Sequence, residues 1–99
     1  MPDIRTTRVF DRWFGALKDR TAKRRIQARI DRLAVGHRGD WKPVGLPVIE
    51  MRVAHGPGYR VYFAERGDVL VVLLCGGDKS SQDADIRVAH RLARKLDWE

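Results

Sequence analysis

Hydrophobic positions change their period several times along the chain, and each change marks an element. Phe10, Trp13, Phe14 and Leu17 recur at helical spacing, which predicts a helix over about 7–18 with Trp13 and Phe14 in the core. A short opening strand, "DIRTT" at 3–7, precedes it. A second stripe of Ala22, Ile26, Ile30 and Leu33 begins after Thr21, a residue suited to capping, and ends at Gly36 and Gly39. Only a short polar turn separates the two helices, so they should form an αα-hairpin.

Residues 40–47, "DWKPVGLP", hold two prolines and a glycine and are expected to be loop. Beyond them the period falls to two, predicting strands over about 48–54, 58–65 and 69–75. The third is apolar on both faces from Val69 to Leu74, as in a central strand covered on both sides. "CGGDKSS" should then leave the sheet. A last helix over about 81–96 would have Ser80 as its N-cap and Ile86, Ala89, Ala93 and Leu96 as its buried stripe. The order βααβββα defines a single α+β domain over 1–99, with a small, mainly antiparallel sheet, an N-terminal helical hairpin and a C-terminal helix.

The alternation also sets a register. Ile49, Met51 and Val53 must share a face with Tyr59, Val61 and Phe63, because a slip of one residue reverses every side chain. A three-residue connection at 55–57 then opposes Val53 to Tyr59, Met51 to Val61 and Ile49 to Phe63. On the second face Glu50 meets Tyr62 and Arg52 meets Arg60. Opposed like charges destabilise a strand pair. Either Glu50 and Tyr62 compensate the arginines in a surface network, or the pair awaits a phosphate, which guanidinium groups bind with planar, multi-donor geometry. Lys79 and the start of the last helix should lie at the end of the neighbouring strand, and helix N-termini favour anions.

Charge strengthens the second alternative. The 99 residues carry a net +7 and a pI near 10.3. The excess lies in residues 1–35, with ten Lys/Arg against four Asp/Glu. Lys23, Arg24, Arg25, Arg29 and Arg32 line the polar face of the second helix, with Asp31 as a local counter-charge. That face is either simply solvated or an RNA-binding surface. Cys75, the only cysteine, excludes an intramolecular disulfide and ends the apolar run "VLVVLLC", where a buried, inert thiol is expected. The run is far short of the ~20 residues that span a bilayer. With no signal peptide visible, a cytoplasmic location is expected. His37 and His90 lack neighbours that would complete a metal site, so neither metal nor cofactor is expected.

"KPVG", "EMRVAHGPGYRVYF" and "VVLLCGGDKSSQDADI" together resemble the RelE/ParE toxin superfamily, in particular its HigB-like addiction module killer proteins. The resemblance covers essentially the whole chain. It implies a type II toxin neutralised by a helix-turn-helix antitoxin, with operator DNA reached only through that antitoxin. It further implies a metal-independent mRNA endonuclease acting in the ribosomal A site, where a 2′-hydroxyl attacks the adjacent phosphate and the 5′-oxygen leaves. By the same resemblance, Arg60 of "GYR" contacts the scissile phosphate, Arg52 is the basic residue of the preceding strand, and Lys79 is the one after the last strand. The nuclease archetype has arginine at the last position, tyrosine where Asp85 stands, and a second lysine near Glu50.

Such chemistry needs a base for the 2′-hydroxyl, cations for developing charge and a proton for the leaving oxygen. Asp85 and Glu50 compete for the base, although the helix dipole should lower the basicity of the first and the arginines that of the second. His55, an imidazole in the hairpin loop, is an alternative. Tyr62 could orient substrate or stack on a base. Two other activities fit the same resemblance: a ParE-like gyrase poison, and a catalytically degenerate toxin kept as an antitoxin-binding co-repressor.

Overall fold

The computed structural model describes residues 1–96. Five strands, β1 (Asp3–Thr6), β2 (Trp41–Pro43), β3 (Ile49–Val53), β4 (Tyr59–Arg66) and β5 (Leu70–Asp78), form a mixed sheet of order β1-β5-β4-β3-β2, with three helices packed on its two faces. β1 (Asp3–Thr6) lies at one edge, parallel to β5 (Leu70–Asp78). Between β2 and β5 every neighbouring pair is antiparallel.

Thr7 turns the chain from β1 into α1 (Arg8–Ala16). Its extended backbone leaves Oγ1 to accept the Phe10 N–H at 3.1 Å. The same hydroxyl donates to the Leu74 carbonyl. That carbonyl belongs to a β-bulge: Tyr62 pairs with Cys75 but Phe63 with Leu73, so Leu74 is the extra residue of β5. α2 (Arg20–Leu33) is capped by Asp19 rather than Thr21. Asp19 Oδ1 takes the N–H groups of Thr21 and Ala22 at 2.9 and 3.1 Å, which puts Thr21 inside the first turn as a capped residue.

The expected loop at 40–47 contains a strand, β2 (Trp41–Pro43), paired with β3 (Ile49–Val53). It lies at the sheet edge, where Pro43 breaks no ladder, so proline did not exclude it. β3 and β4 (Tyr59–Arg66) pair in the predicted register throughout, Arg52 opposite Arg60 and Glu50 opposite Tyr62 included. The expectation that "CGGDKSS" leaves the sheet fails, because β5 continues through Gly76, Gly77 and Asp78. The two glycines are strand residues because both layers press on them. A Cβ on Gly76 would lie 2.3 Å from the Trp13 ring, and one on Gly77 would lie 1.8 Å from Asp85 Oδ2. Ser80 is not a helix cap either. Asp78 Oδ1 takes the Ser80 N–H at 2.8 Å and caps a 3-10 turn, Lys79–Ser81, that feeds α3 (Gln82–Arg94).

α1 and α2 cover one face of the sheet, burying Phe10, Ile26, Ile30 and Leu33 against Met51, Val61, Phe63 and Leu73. α3 covers the other, with Ala89 and Ala93 against Val48, Tyr62, Ala64 and Leu74. The hairpin's second face is therefore largely interior, so a network at the surface, one of the two readings of this face, does not describe it. Glu50 and Tyr62 are both fully buried. Among the described residues no helix is long and apolar enough to cross a membrane.

Candidate functional site

Directly paired residues of neighbouring strands point to the same face, so the sheet under the start of α3 carries two parallel rows. One runs Lys42, Glu50, Tyr62, Cys75; the other runs Arg52, Arg60, Gly77. At Gly77 the missing side chain is replaced by the Asp85 carboxylate. At the opposite end Asp40, which precedes β2, accepts from Arg52 Nη2 through Oδ1 at 3.0 Å. The second row thus reads acid, arginine, arginine, acid. Ion pairs of Arg52 with Asp40 and of Arg60 with Glu50 offset part of the like-charge repulsion that their opposition creates.

Arg60 is held along two edges. Nη1 donates to the Gly58 carbonyl at 2.9 Å, and Nε lies 3.6 Å from Glu50 Oε1, with 12% of the side chain exposed. Arg52 is the more open of the pair, at 43%. Among the described residues, the buried side-chain nitrogen and oxygen atoms without a hydrogen-bond partner are Glu50 Oε1, Arg52 Nε, Arg60 Nε and Tyr62 Oη. All four belong to the quartet on the hairpin's second face. Unsatisfied buried polar atoms cost about 1–3 kcal/mol each, so their confinement to one place requires a reason. Arg52 and Arg60 line an open depression of about 280 Å³ together with Asp40, Val53, Ala54, Gly58 and Tyr59. Lys79 stands beside it: the position a Cβ would take on Gly58 is 3.4 Å from Arg60 Nη1 and 3.7 Å from Lys79 Cβ. Gly58 has φ +80°, so its freedom from a side chain serves both backbone and cation.

The carboxylates have separate fates. Glu50 Oε2 accepts from Gln82 Nε2 at 2.8 Å beneath α3, and Lys42 Nζ approaches Oε1 to 3.9 Å. Enclosed in this way, Glu50 cannot reach a substrate hydroxyl and is not the base. Asp85 is half-buried, and burial pushes its pKa up, partly offset by the hydrogen bond from Ser81 and reinforced by Asp78. The expected depression by the helix dipole is outweighed by desolvation. Burial, followed by the Glu50 charge, pushes the Tyr62 phenol far up. With no exposed surface, Tyr62 cannot stack on a base. Cys75 is buried and its thiol is pushed up to about 12 by burial and the nearby Asp85 charge, as expected of an inert cysteine. His55 is not a free imidazole: its Nε2 lies 3.0 Å from Asp19 Oδ2, fastening the hairpin loop to the cap of α2. Hydrogen bonds from the Ala22 amide and then from His55 lower the Asp19 pKa.

The basic face of α2 divides. Arg24, Arg25 and Arg32 are exposed. Arg29 turns inward, donating through Nη1 to the Arg52 carbonyl at 2.6 Å and through Nη2 to the Arg38 carbonyl at 3.0 Å, so it serves structure rather than ligand. Lys23 Nζ reaches the Gly15 carbonyl at 3.2 Å and sits over the Phe14 ring. A second depression, of about 310 Å³ between Arg25, Arg29, Arg32, Val53 and Ala54, shares its last two residues with the first. The two depressions thus adjoin at Val53 and Ala54, one towards α2 and the other at the arginine pair. No group of three or more potential metal ligands occurs among the described residues.

Sequence reasoning did not find Asp40, Ser81, Gln82 or the role of Gly77. Asp40 sat in a segment assigned to loop, and Gln82 is only half-buried, with no periodic signal. The glycine pair was the available signal, since adjacent glycines in a strand indicate close approach.

These features define a small α+β domain with an arginine pair, flanked by acids, in a depression that adjoins the basic face of α2. No family model matches the chain, and no solved structure matches it. It is 52% identical over 93 residues, 94% of each chain, to a protein of Haemophilus influenzae described as uncharacterized. The chain belongs to one family with that protein.

Proposed function

We propose that the protein is the toxin of a toxin–antitoxin pair, with a RelE/ParE-like fold, and cuts mRNA on the ribosome in the cytoplasm. The observation that carries this reading is the opposed Arg52–Arg60 pair, which lines an open depression beside Lys79. A phosphodiester supplies what that arrangement lacks: anionic acceptor atoms in a plane that guanidinium groups match. In the reaction the 2′-oxygen bonds to phosphorus and the bond from phosphorus to the 5′-oxygen breaks. Products are a 2′,3′-cyclic phosphate and a 5′-hydroxyl. Arg52 and Arg60 stabilise the charge that builds on the phosphoryl oxygens. Asp85, raised by burial, is the carboxylate suited to accept the 2′ proton, and Lys79 offsets the charge on the leaving 5′-oxygen, which takes a proton from water to become the 5′-hydroxyl. Arg24, Arg25 and Arg32 hold the flanking RNA and ribosome, and a helix-turn-helix antitoxin covers the same basic surface.

Mapping mRNA 5′ ends after brief induction tests this. Wild type should yield cuts at defined positions within translated codons, and Arg60→Ala should yield none while folding normally. Equal cutting by the mutant would refute the role of Arg60. Intact mRNA with arrested growth would refute nuclease action. The contacts of Asp40 with Arg52 and of Glu50 with Arg60 favour a second reading, in which the row is architectural and the protein acts only as a binding partner. Arg60→Ala would then lose stability and nothing else.

A further inference from the structure

Glu50 is a fully buried carboxylate in a domain that could have used an apolar residue there. Burying a charge costs several kcal/mol unless partners compensate, and its partners come from three elements. Gln82 of α3 donates to Oε2 at 2.8 Å, Arg60 of β4 presents Nε to Oε1 at 3.6 Å, and Lys42 of β2 presents Nζ to the same oxygen at 3.9 Å. Arg60 is bonded on its far side by the Gly58 carbonyl at 2.9 Å. The Gly58 carbonyl fixes Nη1 by a hydrogen bond and the Glu50 charge holds the Nε edge by an ion pair, while Nη2 has neither contact among the described residues.

We propose that Glu50 is a positioning residue: it clamps the Nε edge of Arg60, itself oriented by Gln82, so that Nη2 faces the depression ready for a phosphoryl oxygen. A guanidinium on a flexible stem loses much of its advantage if it must be ordered when substrate arrives, and misplacement by about 1 Å costs on the order of 100-fold in rate. The clamp removes that disorder in advance. It also ties the aim of Arg60 to the seating of the first turn of α3, because Gln82 belongs to that turn. The assignment rests on the reading of Arg60 as the phosphate-binding group.

Two measurements on Glu50→Gln and Gln82→Ala test it, with Arg60→Lys used to assign the Arg60 Nε–Hε resonance. In wild type that resonance should be distinct and slow to exchange with water. In Glu50→Gln, which keeps the shape and loses the charge, it should move to the averaged position of a solvated arginine, with the backbone amide spectrum preserved. Gln82→Ala, at a half-buried position, should shift it in the same direction by less. Cleavage of a defined mRNA in a reconstituted translation reaction should fall about 100-fold in Glu50→Gln and by a smaller factor in Gln82→Ala. Glu50→Asp, which keeps the charge on a shorter stem, should recover part of the loss. An unchanged Arg60 resonance in both variants overturns the clamp, as does unchanged cleavage alongside a shifted resonance. If wild type itself cuts nothing, the nuclease reading fails, and the resonance alone decides whether Glu50 positions Arg60.

Discussion

Replacing Gly77 by alanine tests how α3 is seated over the sheet. The new Cβ would lie 1.8 Å from Asp85 Oδ2, 2.7 Å from its Cγ and 2.9 Å from Ser81 Oγ, so the carboxyl group must leave. Its departure breaks the Ser81–Asp85 hydrogen bond and moves the first turn of α3, whose half-buried Gln82 cannot follow without leaving Glu50. Overpacking of this kind typically costs 1–3 kcal/mol. At roughly 4–8 °C per kcal/mol for a domain near 100 residues, Tm should fall by about 5–20 °C. Thermal unfolding followed by circular dichroism measures this. The decisive comparison is Gly77→Ala combined with Asp85→Ala, which removes the colliding group. The double variant should recover most of the loss, giving a coupling of about 1 kcal/mol or more, as contacting residues do. Additive effects, or a single variant as stable as wild type, would show that Asp85 does not occupy the space above Gly77.

Arg29→Ala should destabilise by about 1.5–3 kcal/mol, since a cation bonded to part-buried carbonyls is worth more than a neutral pair, whereas Arg24→Ala should stay within about 0.5 kcal/mol in urea unfolding. In filter binding to single-stranded RNA, Arg24→Ala should lower the salt slope by about 1. Tyr62→Phe should match or exceed wild-type Tm, because the buried hydroxyl has no hydrogen-bond partner to lose; a clear fall would reveal one. Asp85 has a folded pKa above its usual 3.8, so its ionised form opposes folding and its stability cost grows as pH rises through that window. Asp85→Asn should therefore be more stable than wild type near neutrality, with the gap closing below about pH 4; a gap that widens on acidification would contradict the burial.

The hairpin was legible because period-two alternation fixes register and each pairing follows from it. What alternation cannot reveal is whether the second face is covered. Glu50 and Tyr62 looked like surface residues because the stripe on the last helix shows that α3 packs on something without naming the face. β2 was hidden by its proline, which an edge position tolerates. The end of β5 was hidden by Gly76 and Gly77, which propensity treats as breakers although the neighbouring side chains demand them. Asp19 lost the capping assignment to Thr21 because the apolar stripe begins at Ala22, one residue after the threonine, while the helix itself starts at Arg20. Among candidate site residues, the arginines were found through their register. Asp40, the acidic partner of Arg52, comes from the loop before β2 and meets it only in the folded chain.

The match of two acids to two arginines along the row from Asp40 to Asp85 has a kinetic consequence. Seen from beyond a Debye length of about 8 Å, the row is close to neutral and cannot draw a polyanion towards it. Attraction at a distance falls to the exposed arginines of α2. Encounter and residence therefore belong to different parts of the molecule. Arg24→Ala or Arg25→Ala should slow association with RNA in a salt-sensitive way, while Arg52→Ala should leave association alone and hasten release.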